Sequence, residues 1–292
     1  RDLFESPEFY SSWTILAAVY AYSIQIFCDF SGYSDMAIGV GRLMGFRLPE
    51  NFRSPYLALN IQDFWRRWHI SLGAWMRDYV FYPFALTRPV SRMSKALKKK
   101  AGTHIARALP AALGNILVFL LVGVWHGAQM NYVLWGLYNG VILAFTALVE
   151  PVYKRMNDRL PRLTASGGFH VFRILRTFLV VNIGWYFDRC VRVCDAFAML
   201  HKTFFAFNAQ QLFDGTLDTL GLAAKDYRIL LIATIILFVV SLMQERGVKI
   251  RDFVLSRPLA LRWAVLYAFI FFVLATFGGS NVAASGFMYA VF

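Results

Sequence analysis

Ala111-Ala-Leu-Gly-Asn-Ile-Leu-Val-Phe-Leu-Leu-Val-Gly-Val-Trp125-His126-Gly127 is the stretch that decides how this chain is read. From Ala111 to Trp125 it carries no charged residue, and a second uncharged segment, Met130–Val149, follows almost at once. Two apolar segments joined by a short turn predict a pair of membrane-embedded helices, with the imidazole of His126 at their junction. An ionisable side chain at such a position is a functional-site candidate by default. In a water-poor site it is expected to be neutral and to serve as a proton acceptor. The plainer alternative is that His126 caps a span and bonds to backbone at the membrane interface.

The remainder of the chain agrees with a membrane setting. Of its 292 residues, 58% are hydrophobic, above the apolar share of ordinary soluble domains. Mean hydropathy is +0.50. Expected spans are Ser12–Phe30, Leu109–Trp125, Met130–Val149, Ile174–Phe187, Ile229–Gln244 and Trp263–Phe277, with Tyr33–Phe46 a shorter, re-entrant candidate. Every recognisable element is helical. The expected class is therefore an all-α polytopic membrane protein.

A formal net charge of +13 would suit nucleic-acid binding if the charge formed one patch. It falls instead in three stretches beside apolar spans. Thr87–Arg107 contains Arg88, Arg92, Lys95, Lys98, Lys99, Lys100 and Arg107 and no acid. Glu150–Arg176 and Glu245–Arg262 are also rich in arginine and lysine. Basic connections mark the cytoplasmic side, and two spans between successive stretches return the chain to that side each time. All three are expected to be cytoplasmic loops facing phospholipid, with no nucleic-acid partner. The charge-balanced Arg189–Arg228 segment is then expected outside. Cys28, Cys190 and Cys194 form neither a metal nor a disulfide pattern, and small buried thiols are usually inert.

A second histidine lies in Asp63-Phe-Trp-Arg-Arg-Trp-His-Ile-Ser-Leu-Gly-Ala-Trp-Met-Arg-Asp-Tyr79. Asn60 and Asp63 have the spacing of a capping box, so one amphipathic helix is expected over Asp63–Tyr79. At helical spacing Phe64, Trp65, Trp68, Leu72, Trp75, Met76 and Tyr79 share an arc. His69 borders the opposite side with Arg66, Gly73 and Arg77. Arg66 and Arg77 are expected to hold an anionic group beside the His69 imidazole. The alternative is a peripheral anchor whose arginines meet lipid phosphates. In Phe30-Ser-Gly-Tyr-Ser-Asp35, Gly32 is expected to allow a tight turn or a close helix approach, and Asp29 or Asp35 to pair with Arg42 or Arg66. Asn131 and Asn139 flank the histidine hairpin and could bind a substrate hydroxyl.

Phe27-Cys-Asp-Phe-Ser-Gly-Tyr-Ser-Asp-Met-Ala-Ile-Gly39, Pro49-Glu-Asn-Phe52, Asp63-Phe-Trp-Arg-Arg-Trp-His-Ile-Ser-Leu72 and Val124-Trp-His-Gly-Ala128 occur in this order. Together these blocks resemble the membrane-bound O-acyltransferase family. The likeness is to its bacterial branch, which holds the alginate O-acetyltransferase membrane subunit and the D-alanyl transfer protein of teichoic acid synthesis. It is dense from about Phe27 to Asn139. The resemblance implies a helix bundle around a tunnel, with His126 as the catalytic histidine and His69 as the second motif histidine. It also implies that residues 1–292 are one membrane-embedded domain, the C-terminal larger part of a longer protein.

The expected chemistry is acyl transfer, most simply acetyl, from a cytosolic thioester to hydroxyls of an exported or cell-wall polysaccharide. His126 would be the general base, His69 would help polarise the thioester carbonyl, and Trp125, Asn131, Arg66 and Arg77 would contact substrate. No cofactor or metal is expected to be bound. The donor would be acetyl-CoA or an acyl-carrier thioester. Expected partners are membrane lipid, the polysaccharide acceptor, and either a second, periplasmic or extracellular acetyltransferase or an acyl-carrier protein. The expected location is the bacterial cell membrane, in multi-pass form. Two other readings stay open here: D-alanyl transfer to teichoic acid, and a transporter or channel whose polar residues line its pathway.

Overall fold

A computed structural model describes residues 2–208, 210 and 224–277. These are helical almost throughout; among the described residues the one β feature is an isolated antiparallel bridge between Phe52 and Trp68. Among the described residues, four helices are long and apolar enough to cross a membrane: Ser12–Leu43, Arg88–His126, Met130–Arg159 and Tyr227–Glu245. The chain is an all-α polytopic membrane protein. Its residues group into two compact units, Arg1–Leu222 and Ala223–Phe292. Asp214 and Asp218 of the Arg189–Arg228 segment lie outside the described residues.

The first long helix, α1, spans Ser12–Leu43, with the Ser11 hydroxyl accepting from the Thr14 amide at 3.2 Å. It corrects two expectations. The first span does not stop at Phe30, and Tyr33–Phe46 is not a separate re-entrant piece. Gly32 is an ordinary interior helix position with no heavy atom within 4 Å of a built Cβ. A single glycine costs a helix only about 1 kcal/mol, too little to end one otherwise rich in apolar residues. Of the expected ion-pairing residues, Asp35 is exposed, and Arg42 approaches Glu50 at 3.8 Å.

Two short helices follow, α2 (Ile61–Arg67) and α3 (Ile70–Met76), then a π-helical turn over Arg77–Phe81. The next long helix, α4 (Arg88–His126), is broken at Gly102, whose φ of 85° lies in the left-handed region. Basic residues thus occupy a helical segment before the break rather than the loop expected over Thr87–Arg107. Proline at 110 supplies no amide hydrogen to the Ala106 carbonyl. That carbonyl accepts from the Ser94 hydroxyl at 2.8 Å, which ties the basic segment to the span.

Helix α5 (Met130–Arg159) runs back against α4 in a glycine-lined hairpin. A Cβ on Gly123 would lie 2.5 Å from the Tyr132 carbonyl oxygen, and one on Gly140 would lie 2.9 Å from the Ile116 Cα. A Cβ on Gly136 would collide with the Phe119 carbonyl oxygen. Only glycine permits this backbone approach, a recurrent device for packing helices in membranes. Toward the other end of the hairpin, His104 Nε2 lies 3.0 Å from the Leu148 carbonyl oxygen.

Helix α6 (Gly167–Arg189) starts at a Ser166 cap and packs on α1, α2 and α5. Tyr22 donates to Asp188 at 2.6 Å, and Ser23 donates to Asn182 at 2.6 Å, so α1 and α6 are joined by buried polar pairs. Helix α7 (Val193–Phe205) completes this unit, with Lys202 donating to the carbonyls of Pro7, Glu8 and Tyr10. The second unit contains α8 (Ala224–Glu245), α9 (Ile250–Leu255) and α10 (Leu259–Phe277).

Candidate active site

The site begins with a break in the helix that the sequence pattern makes continuous. Asn60 caps α2, its Oδ1 accepting from the Asp63 amide at 2.8 Å. Asp63 reaches back to the Leu59 amide at 3.1 Å and meets Arg67 Nε at 2.9 Å. The capping signal is therefore real, but the helix ends after one further turn. Trp68 is extended, and His69 takes the left-handed conformation, φ 46° and ψ 56°, before α3 starts at Ile70.

That conformation costs a non-glycine residue about 1–3 kcal/mol and persists only where its surroundings impose it. Here the chain around Asn51–Arg53 pairs with the break. The Arg53 amide donates to the Arg67 carbonyl at 3.0 Å, and the Ile70 amide donates to the Asn51 carbonyl at 3.1 Å. Asn51 Oδ1 also accepts from the Ser71 amide at 3.0 Å and from its hydroxyl at 2.7 Å.

The break changes which side chains share a surface. Trp68 turns into an aromatic core with Phe52, Phe64 and Trp185, at centroid distances of 5.1, 5.5 and 5.6 Å. The His69 ring stands edge-on to Phe30 at 4.7 Å and lies 6.3 Å from Trp125. Trp125 in turn meets His126 at 5.0 Å. The two histidines, far apart in sequence, thus flank one tryptophan. His126 is the last residue of α4, buried at 7% exposure, and also contacts Trp135 at 5.0 Å and Tyr132 at 6.1 Å. Gly127 lies close beside it, and a Cβ there would lie 2.8 Å from the Tyr132 ring.

Around these rings the site is aromatic. Trp135 continues from His126 to Trp65 at 5.7 Å and to Trp185 at 6.4 Å. Burial pushes the His69 imidazole pKa down from 6.5 to about 4, so the ring is neutral near pH 7. Its Nδ1 is buried and has no hydrogen-bond partner among the described residues. Backbone conformation and flanking rings, rather than a polar anchor, therefore aim the His69 ring.

The continuous helix on which Arg66, His69 and Arg77 were expected to share a side does not form. Arg66 is exposed, and Arg77 is exposed and bonded to Asp78 at 2.9 Å. A left-handed residue at the break rotates α3 relative to α2, so the spacing that placed Arg66, His69 and Arg77 on one side no longer applies. Trp125 contacts both imidazole rings and is half exposed. Asn131 is buried, with Nδ2 donating to the carbonyls of Phe187 at 3.2 Å and Cys190 at 2.9 Å. Its amide group ties helix ends together. Asn139 donates within its own helix to the Trp135 carbonyl at 2.9 Å.

Sequence reasoning missed the contributions of Asn51, Tyr132, Trp135 and Trp185. Asn51 lay in a recognised block, but no spacing rule connects it to His69. A separate cavity of about 540 Å³ lies between the start of α2, the later half of α5 and the early half of α6. Glu150, Arg173 and Arg176 are among its lining residues, and neither histidine is. Among the described residues no group of three or more His, Cys, Asp or Glu is placed to hold a metal ion.

The chain is similar in sequence to known proteins. The chain is 39% identical over 193 residues to the Probable alginate O-acetylase AlgI of Pseudomonas syringae pv. tomato, covering 66% of this chain and 32% of the relative. It is 36% identical over 180 residues to the Peptidoglycan O-acetyltransferase of Helicobacter pylori, covering 62% and 29%. A third relative, the Teichoic acid D-alanyltransferase of Bacillus subtilis, is 36% identical over 171 residues, covering 59% and 40%. The matched segment thus spans between 29% and 40% of the length of these relatives. Residues 4–183, which include both histidines and the helices that position them, match the membrane-bound O-acyltransferase family, and the chain belongs to that family.

Proposed function

We propose that this chain carries the catalytic centre of a membrane O-acyltransferase that uses His126 to activate a hydroxyl acceptor. The observation that carries the reading is a buried imidazole at the tip of a rigid helix hairpin, with a second imidazole across Trp125. In the proposed step the neutral His126 ring accepts the hydroxyl proton as the oxygen attacks the thioester carbonyl. Collapse of the tetrahedral intermediate breaks the carbon–sulfur bond, and the thiolate leaves with the proton returned by the imidazolium. His69 is the candidate for polarising the carbonyl as negative charge develops on its oxygen. Aromatic walls exclude water, which strengthens those interactions and suppresses hydrolysis of the donor.

The preferred acceptor is a hydroxyl of an exported or cell-wall polysaccharide and the preferred acyl group is acetyl, in keeping with the names of two of the relatives above. D-Alanyl transfer is the second reading, favoured by the third. The family assignment disfavours a transporter or channel without transfer chemistry. The donor, as acetyl-CoA or an acyl-carrier thioester, is anionic. It would be drawn to the basic segment of α4 that holds Lys98, Lys99 and Lys100, while the acceptor would approach from the opposite side of the membrane. A periplasmic or extracellular acetyltransferase would receive the acyl group, or a carrier protein would deliver it.

The test is transfer from labelled acetyl-CoA and from a D-alanyl carrier thioester in proteoliposomes holding the full-length protein. Acetylated glycan with the first donor alone supports acetyl transfer. D-Alanyl product with the second alone selects the alternative. Undiminished transfer by His126→Ala overturns the assigned base.

A further inference from the structure

We propose that Asn51 is a positioning residue that acts through His69. The inference deepens the acyl-transfer reading and rests on it for its catalytic consequence. His69 stands in the N-cap position of α3, yet its side chain makes no capping hydrogen bond. A helix start must satisfy its free amides, and the usual solution is an oxygen on the N-cap side chain itself. At this helix the oxygen comes from another segment: Asn51 Oδ1 accepts from the Ser71 amide and hydroxyl, at 3.0 and 2.7 Å. The main-chain carbonyl of the same residue accepts from the Ile70 amide at 3.1 Å. Asn51 therefore meets the needs of the residues just after His69 twice over, and the imidazole is released from capping.

The consequence is directional. His69 is one of two described non-glycine residues with positive φ, and its Nδ1 has no hydrogen-bond partner among the described residues. Nothing polar on that nitrogen fixes the ring, so its aim toward Trp125 depends on the left-handed backbone and the packing of Phe30. That backbone is held between the Arg53–Arg67 and Asn51–Ile70 pairings and the Asn51 cap. Removing the acceptor oxygen at position 51 should let α3 unwind or extend into the break, and the His69 ring should lose its place across Trp125 from His126.

The experiment compares Asn51→Leu, which has similar bulk and no acceptor, with Asn51→Asp, which keeps acceptor oxygens, in the full-length protein in detergent or proteoliposomes. Hydrogen–deuterium exchange of the peptide covering Ile70–Met76 reads the cap without needing activity. Expected results are faster exchange in Asn51→Leu and near-normal exchange in Asn51→Asp. Transfer kcat should fall at least tenfold in Asn51→Leu with donor KM within about twofold, and Asn51→Asp should restore most of it. Should Asn51→Leu fail to fold, Ser71→Ala removes only the 2.7 Å bond and should lower kcat with normal protein yield. Unchanged exchange in Asn51→Leu would overturn the proposal, and so would equal kcat losses in the Leu and Asp variants. If Asn51→Leu does not fold, an unaffected Ser71→Ala would overturn it. Failure of the acyl-transfer reading would show separately, as no acyl transfer from either donor by the unsubstituted protein, whatever the exchange result.

Discussion

The side chain of Asn131 is bonded to the main chain of Cys190: Nδ2 donates to that carbonyl at 2.9 Å, and to the Phe187 carbonyl at 3.2 Å. The second residue of α5 thereby holds the last turn of α6, whose final carbonyls have no helical partners. One turn further along α5, Trp135 meets the His126 ring. The asparagine thus sets where the wall of the site begins. Replacing it with leucine leaves two carbonyls without their donor, at a cost of about 1–3 kcal/mol. Asn131→Leu should lower the thermal midpoint in detergent, and transfer should fall in proportion to the folded fraction. A loss of turnover at full stability would instead give Asn131 a direct part in substrate contact.

His126 should show the opposite pattern. His126→Ala should reach normal abundance in the membrane while transfer drops by 10²-fold or more, the typical contribution of a positioned base. Immunoblotting of membranes together with labelled-donor assays separates the two quantities. Equal falls in abundance and activity would return His126 to a structural role.

The close-packed glycines of the hairpin differ from Gly32 of α1. A Cβ at Gly136 would strike the Phe119 carbonyl oxygen, whereas one at Gly32 meets no heavy atom within 4 Å. Gly136→Ala should push α4 and α5 apart and sharply reduce folded protein. Gly32→Ala should be neutral or stabilise by roughly 0.5–1 kcal/mol, since alanine loses less conformational freedom in a helix. Thermal midpoints of the two variants decide the matter.

Stability should also carry the signature of a half-buried neutral imidazole. The His69 pKa is about 4 in the folded chain against the ordinary 6.5. As pH falls through 6.5 the unfolded chain takes up a proton first, so stability declines from there toward pH 4. Above 6.5 this group contributes no pH dependence. The loss expected by pH 5 is about 2 kcal/mol. His69→Gln should remove that part of the slope between pH 7 and pH 5, as measured by thermal midpoint. An identical slope in wild type and variant would show that the His69 ring is more hydrated than its surroundings imply.

The antiparallel α4–α5 hairpin brings the basic start of α4 and the basic end of α5 to one side. Cysteines introduced at Lys98 and Arg159 should both resist an impermeant thiol reagent applied to intact cells and react in opened ones, as cytoplasmic positive charge requires. Labelling of either site in intact cells would reverse the orientation and, with it, the proposed side of donor entry.

Much of this architecture could be read from the chain alone. Uncharged runs such as Ala111–Trp125 and Met130–Val149 declare helices buried in lipid, because every backbone polar group there must be satisfied within its own segment. His126 stood out as an imidazole at the junction of two such runs. Asn60 and Asp63 marked a helix start that the structure shows with the expected hydrogen bond. These are local properties, set by hydropathy and by contacts within a few residues.

What the sequence could not determine was the break at His69. Helical periodicity continues smoothly from Asp63 to Tyr79, and by that pattern Arg66, His69 and Arg77 share a side. The left-handed turn at His69 is unfavourable locally and exists because a distant segment, Asn51–Arg53, supplies pairing and a cap there. The same holds for the approach of His69 and His126 to Trp125, which depends on how α1, α3 and the α4–α5 hairpin pack. Hydropathy and capping chemistry are written residue by residue, so the sequence alone determined the helices and one histidine. The second histidine's aim is a balance between local strain and long-range hydrogen bonds, and only the tertiary structure could decide it.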